Sequence, residues 1–127
     1  MIKEAYVSFE VAKLLKDKGF NVPCCRRYNG DSMITQSALH STPYYQEEKT
    51  SGYVLCPTHQ MAMAWLREKH NIHIEFIIFW MLRIYYSVDI VNFQIGKEIK
   101  RIKTLPNFDS YEEAVEAAIK YCLENLI

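Results

Sequence analysis

The sequence predicts a single α+β domain over residues 1–127, with three helices packed on a mainly antiparallel sheet in the approximate order α-β-β-α-β-β-(β)-α. Two observations carry this prediction. Apolar residues recur at helical spacing in three segments, whereas in two central segments they alternate with period two. Half of the 127 residues are hydrophobic, which is enough for the core of one domain of this length.

The first helix is predicted between Ser8, a favourable N-cap, and Gly19, which suits the left-handed position that ends many helices. Phe20 follows where it can close back on Leu15. The second helix is predicted from Thr58 to about His70. Its predicted buried stripe consists of Met61, Ala62, Trp65 and Leu66.

The third helix is the clearest in the sequence. Ser110 and Glu113 form a capping box, and apolar residues then repeat at helical spacing. The predicted buried face comprises Tyr111, Ala114, Val115, Ala118, Ile119, Cys122 and Leu123.

Strands are predicted between the second and third helices. Residues 72–80, "IHIEFIIFW", alternate with period two, and residues 83–93 continue in phase, so the chain must turn within 79–83. Residues 98–103 can add a third strand. Upstream of the second helix we expect two or three strands, with a long irregular loop over residues 35–52.

Composition and charge exclude several classes of protein. Fifteen basic residues balance fifteen acidic ones, so no net charge favours nucleic acid or an anionic membrane. Charges interrupt both the apolar segment after residue 72 and the N-terminal segment, so neither a membrane span nor a secretory signal is expected. Four cysteines are then expected as thiols in a reducing cytoplasm. No phosphate loop, Rossmann fingerprint or hydrolase motif occurs, so the sequence favours a non-enzymatic protein and predicts no cofactor.

Cys56 and His59 have the C-x-x-H spacing that can bind a metal or support a reactive thiol. Cys24 and Cys25 are adjacent, so on a strand they would point to opposite faces and complete a zinc site poorly. The favoured alternative is structural, with Cys56 a small buried residue and His59 an exposed residue in the first turn of a helix.

Basic residues are concentrated in segment 97–103, at Lys97, Lys100, Arg101 and Lys103. Phosphate contact is one interpretation, which makes nucleic-acid binding the alternative function. The other interpretation is a solvated edge strand whose lysines prevent unwanted pairing, and it is favoured because no aromatic residue interleaves with the basic ones.

The segment "FIIFWML", residues 76–82, is apolar on both faces of a strand. A helix layer is expected to cover Phe76, Ile78 and Trp80. The second apolar set, Ile77, Phe79 and Met81, needs cover from another helix or from a partner. The leading functional hypothesis is therefore a protein-binding or accessory module that forms a homodimer or binds another protein through these three residues.

Three stretches carry a resemblance over the ends and the centre of the chain: "MIKEAYVSFEVAKLLKDKGFNVPC", "PTHQMAMAWLREKHNIHIEF" and "FDSYEEAVEAAIKYCLENLI". In these the chain resembles a family of small uncharacterised proteins from gut bacterial genomes and their phages or mobile elements. The resemblance implies a compact α+β protein, encoded by a phage or an integrated element. The family has no assigned activity, so no functional residue is carried over.

Overall fold

The computed structural model describes residues 4–30, 32–35, 43–45, 53–94 and 96–127. Within these ranges the α+β class is confirmed, with three helices and two antiparallel sheets. The elements are α1 (Phe9–Asp17), β1 (Arg26–Asn29), β2 (Ser32–Thr35), β3 (Tyr53–Leu55), α2 (His59–His70), β4 (Ile72–Trp80), β5 (Ile84–Asn92), β6 (Lys100–Phe108) and α3 (Tyr111–Asn125). Three strands precede α2, the larger of the two numbers that the sequence allowed. Most of the loop predicted over 35–52 lies outside the described residues.

The described strands form two sheets where the sequence predicted one. Their strand orders are β2-β1-β3 and β4-β5-β6, and each sheet collects the strands from one side of α2. Contacts divide the chain into two compact units, Met1–Gln60 and Met61–Ile127. One domain over residues 1–127 therefore stays a prediction.

In the first unit, α1 packs against β3 and both of its ends follow the predicted signals. The Ser8 side chain accepts a hydrogen bond from the backbone N–H of Val11 at 3.2 Å. At the other end Gly19 has a φ of 91°, and the N–H of Phe20 donates to the carbonyl of Leu15 at 2.9 Å. This is a Schellman ending, which satisfies the last carbonyls of the helix.

In the second unit, α3 covers one face of the β4-β5-β6 sheet. Ile74 lies opposite Ile90, and Phe76 lies opposite Val88. The ring of Tyr111, the first residue of α3, lies 4.6 Å from the ring of Phe76. Because side chains alternate along a strand, the even-numbered residues of β4 and β5 share this face, which we call the α3 face.

The predicted helix ends of the second unit are also confirmed. Asn71 has a φ of 56° directly after the end of α2. The Ser110 side chain accepts a hydrogen bond from the N–H of Glu113 at 3.1 Å at the start of α3.

Trp65 on α2 is 6% exposed, as the sequence predicted for a core residue. Among the described residues, no helix has the length and apolar character needed to span a membrane.

Strand β6 is longer and less regular than the predicted segment 98–103. Its register with β5 shifts twice, leaving an extra residue at Ile102 and another near Pro106 and Asn107. Asn107 has a φ of 68°, a left-handed conformation that asparagine tolerates better than most residues. These bulges lie on an edge strand, where interruptions of the ladder cost least.

Candidate functional site

Cys56 lies between β3 and α2 and is buried, as the structural interpretation predicted. Its backbone N–H donates to the carbonyl of Arg26 at 2.9 Å, which continues the pairing of β3 with β1. Its side chain is directed inward, and the thiol donates to the carbonyl of Val7 at 3.6 Å. The Tyr28 hydroxyl donates to the same carbonyl oxygen at 2.7 Å. Cys56 therefore belongs to the core of the first unit.

His59 is only 6% exposed, so the expectation of an exposed first-turn residue is wrong. Its N–H donates to the carbonyl of Ala5 at 2.9 Å, and Tyr6 forms an antiparallel bridge with Thr58. The segment that precedes α1 thus runs alongside Thr58 and His59 at the start of α2. The sequence signals for the start of a helix lie within a few residues of it and contain no information about Ala5 and Tyr6. The burial of His59 was therefore not predicted.

Cys24 and Cys25 lie just before β1 and differ in environment: Cys24, which forms an isolated bridge with Tyr44, is buried, and Cys25 is exposed. Burial, with a smaller contribution from the nearby Cys56 and Cys25, raises the pKa of the Cys24 thiol to about 12. A thiol with so high a pKa is a poor metal ligand, because zinc binds the thiolate.

Within the described ranges, no group of three or more His, Cys, Asp or Glu side chains is arranged to hold a metal ion. A metal or thiol site at Cys56 and His59 stays a hypothesis, and metal analysis of the purified protein tests it.

A row of polar side chains crosses the second sheet on the face opposite α3. Glu75, Asp89 and Thr104 lie opposite one another on β4, β5 and β6. The Thr104 hydroxyl donates to Oδ1 of Asp89 at 2.6 Å, and Nε of Arg101 lies 3.2 Å from Oδ2. Both oxygens of this buried carboxylate therefore have partners, which makes the row an anchor between β5 and β6. The sequence analysis did not single out Asp89, although its alternation with Val88 and Ile90 was a usable signal.

Two shallow recesses lie near this row. One, of about 260 Å³, is lined by His73, Glu75, Val91, Phe93 and Ile99. The other, of about 500 Å³, is lined by Asn92, Gln94, Lys97, Glu98 and Lys100. The first is smaller than the usual ligand pocket of roughly 300–1,000 Å³, and none of the described residues that line the second is aromatic.

The basic segment 97–103 leads into β6, and all four of its basic side chains are exposed. Arg101 is paired with Asp89, and Nζ of Lys103 lies 6.0 Å from the centroid of the Tyr121 ring. Ile99 is 72% exposed beside them. Among the described strands β6 lies at the edge of its sheet, which favours the interpretation of a charge-guarded strand.

Large apolar residues are exposed on both faces at the end of the β4–β5 hairpin, residues 78–84, which we call the hairpin end. Its exposed large apolar residues are Ile78 (61%), Phe79 (52%), Trp80 (77%), Met81 (86%), Leu82 (103%) and Ile84 (56%). Of the three predicted association residues, Phe79 and Met81 belong to this surface, whereas Ile77 is half-buried.

The hairpin end is exposed because β4 and β5 extend beyond the elements that cover the rest of the sheet. Tyr86 is the first residue of β5 to pair with β6, and α3 reaches only as far as the contacts of Tyr111 with Phe76 and Tyr86. The expectation that a helix layer covers three alternate residues of β4 is therefore wrong for Ile78 and Trp80. Of these three residues, only Phe76 is covered by α3, through its contact with Tyr111.

The turn of the hairpin lies within the predicted range 79–83. The N–H of Met81 donates to the carbonyl of Arg83 at 3.3 Å. The Arg83 guanidinium lies 4.5 Å from the centroid of the Tyr85 ring, and its Nη1 lies 3.3 Å from Oδ1 of Asp109. These contacts hold the base of the turn, while the neighbouring Trp80 and Leu82 remain exposed.

Comparison with known proteins adds no assignment. No family model matches the chain, and neither a curated protein nor a solved structure does. The resemblance to the gut bacterial family, with its implied mobile-element origin, therefore stays a prediction.

Proposed function

We propose that this protein is a non-enzymatic accessory module that binds another protein through the hairpin end. The observation that supports this proposal is the exposure of six large apolar side chains on one short projecting segment. Isolated exposed apolar residues are ordinary, but contiguous ones usually mark an interaction site.

The size of the surface supports a protein partner. The six exposed fractions are equivalent to about four whole residues, or on the order of 800 Å² over the two faces of the hairpin at about 200 Å² for each large residue. Monomers rarely expose a contiguous apolar patch above roughly 600 Å², whereas a specific interface takes about 800 Å² from each partner. A projecting hairpin also presents a convex surface, unlike the concave pockets that bind small molecules.

Trp80 allows the proposal to be tested directly. The chain has two tryptophans, and Trp65→Phe leaves Trp80, which is 77% exposed, as the single tryptophan, whose emission can be excited apart from that of the tyrosines. A candidate partner recovered by affinity capture is purified and titrated into this variant. Binding through the hairpin end should shift Trp80 emission to the blue and reduce its quenching by acrylamide.

Two matched lysine variants locate the binding surface. Leu82→Lys changes the hairpin end, and Ile99→Lys changes an exposed apolar residue outside it. We expect Leu82→Lys to weaken binding at least tenfold and Ile99→Lys to leave it unchanged, because buried contacts at the interface centre carry most of the affinity. Equal binding by both variants would contradict the proposal.

Nucleic-acid binding through segment 97–103 is the second candidate, supported by the exposure of its four basic side chains. It predicts that a labelled oligonucleotide binds with an affinity that falls steeply as salt rises, and that Lys100→Ala reduces this dependence. Salt-independent or absent binding in a fluorescence anisotropy titration would contradict this candidate.

A further inference from the structure

We infer that the hairpin end binds a second copy of this chain, by antiparallel pairing of two β4 edges about a two-fold axis at Ile78. The inference rests on the proposed function, because it names the protein that the hairpin end would bind. Four observations carry it: the direction of the main-chain groups of β4, the burial along this strand, the difference between the two sheet edges, and the side chains that the pairing brings together.

The first observation concerns the main chain of β4, which among the described strands pairs with β5 alone. Odd-numbered positions form its hydrogen bonds: the N–H of Met81 donates to the carbonyl of Arg83, and at the other end the N–H of Phe93 donates to the carbonyl of Asn71. Bonded and non-bonded positions alternate along an antiparallel pair. The main-chain groups of even-numbered residues in β4 therefore point away from β5, toward the edge of the sheet.

Burial then limits which part of this edge can pair. Ile72 and Ile74 are 3% and 6% exposed, so a further strand cannot reach them. Phe76 is half-buried, whereas Ile78 and Trp80 are 61% and 77% exposed. Antiparallel pairing of this accessible portion with its own copy centres on Ile78, with Phe76 opposite Trp80 of the second copy.

The two edges of the sheet differ in a way that indicates which one is used. Edge strand β6 is protected by Pro106, which has no N–H to donate, by its two bulges and by its basic side chains. In contrast, β4 pairs with β5 without a register shift, and residues 76–80 contain no proline or charge. Unprotected apolar edges are a liability unless a partner covers them.

The side chains brought together by this register are all apolar. On the α3 face Trp80 meets Phe76 of the second copy, beside Tyr111, and on the other face Phe79 meets Ile77. The formal net charge of the chain is zero, so two copies do not repel each other. An interface centred on a two-fold axis is self-complementary, so each apolar contact on one side of the axis is repeated on the other side.

Sedimentation of the full-length chain over a range of concentrations tests the inference, with a dimer of twice 15.0 kDa expected. Ile78→Lys and Ile78→Glu each place like charges opposite one another at the two-fold axis, so each variant alone should dimerise at least a hundredfold more weakly. An equimolar mixture of the two should recover the dimer, because unlike charges then meet. Ile99→Lys is the matched control and should dimerise like the wild type.

Ile78→Pro provides a second test that leaves the pairing of β4 with β5 intact. It removes an N–H that points to the edge, so it should give a folded monomer by circular dichroism and sedimentation. A wild-type monomer at every concentration, a dimeric Ile78→Pro variant, or a Lys–Glu mixture that stays monomeric would each overturn the inference.

The outcomes also separate this inference from the proposed function. A monomer that still binds a different protein, and loses it on Leu82→Lys, overturns the dimer and leaves the proposed function standing. A monomer that instead co-sediments with phosphatidylcholine–phosphatidylserine vesicles, with Trp80 emission shifted to the blue, overturns both.

Discussion

The two ends of the β4–β5 hairpin carry similar apolar residues on the α3 face, but these residues are buried at one end and exposed at the other. At the covered end Ile74 and Ile90 face each other and are 6% and 0% exposed. At the hairpin end Trp80 and Ile84 also face each other, yet they are 77% and 56% exposed. The covered end has β6 and α3 beside it, and the hairpin end projects past both. Burial on the α3 face is therefore decided by which elements lie alongside each strand, since this face carries apolar residues at both ends.

The largest expected effect comes from comparing the buried Trp65 of α2 with the exposed Trp80 of the hairpin end. Trp65→Ala should lower the free energy of unfolding by about 3–5 kcal/mol, because a large buried side chain leaves a cavity. Trp80→Ala removes an equal side chain that is exposed, so it should change stability by less than about 0.5 kcal/mol. Urea unfolding at a concentration too low for association measures both. Similar losses in the free energy of unfolding for the two variants would contradict the expectation that burial decides how much each tryptophan stabilises the fold.

The polar contacts of the two ends should differ in the same direction. Thr104→Val keeps the shape of the side chain but removes a hydrogen bond to the buried Asp89 carboxylate, which should cost about 2 kcal/mol. Arg83→Ala removes an exposed ion pair with Asp109 near the hairpin end and should leave the melting temperature unchanged. A larger loss for Arg83→Ala than for Thr104→Val, measured by thermal unfolding, would reverse the comparison.

A smaller effect is expected from the cap of α3, the helix that covers one end only. Ser110→Ala removes the hydrogen bond to the N–H of Glu113 and should cost about 1 kcal/mol, whereas Ser110→Gly should cost less. Hydrogen exchange should become faster at Val88 and Ile90 beneath the helix and stay unchanged at the hairpin end. Uniform acceleration along β5 would show that α3 does not act on the covered end selectively.

Thiol chemistry provides a weaker, pH-dependent test of burial. Burial raises the pKa of Cys24 and of Cys122, on α3, from 9.0 to about 12, so both thiols stay protonated in the folded chain above the pH at which they ionise when unfolded. The unfolded chain then binds fewer protons, and stability should fall as the pH rises above 9. Cys24→Ala combined with Cys122→Ala should flatten this fall. Rapid labelling of Cys25 alone by a thiol reagent at neutral pH is the companion result, since Cys25 is exposed.

The smallest expected effect is that of metal removal. If packing alone accounts for the covered parts of the chain, a chelator should leave the unfolding transition unchanged, and elemental analysis should find no stoichiometric zinc. One zinc per chain, lost on Cys56→Ser, would establish the metal site that the C-x-x-H spacing suggests.

Much of the local structure followed from short sequence signals. The caps at Ser8 and Ser110 and the left-handed Gly19 and Asn71 lie where their residue types predicted, because each depends on hydrogen bonds within a few residues. The turn near Met81 was located by strand length alone.

Features that depend on residues far apart along the chain could not be predicted from the sequence. The burial of His59 requires the segment at Ala5, and the anchor at Asp89 requires Thr104 from the neighbouring strand. Division of the strands into two sheets likewise depends on which strands find each other in space. No local pattern contains these pairings, since the partners are far apart along the chain.

The sequence by itself determined the ends of the three helices, the positions of β4 and β5, and that residues 76–82 are apolar on both faces. Only the tertiary structure decided that Ile78 and Trp80 lie beyond the reach of α3 and β6 and are exposed. The physical reason is that periodicity and capping depend on neighbours along the chain. Burial depends on how far each packed element extends, which is set by the lengths and registers of all the strands and helices together.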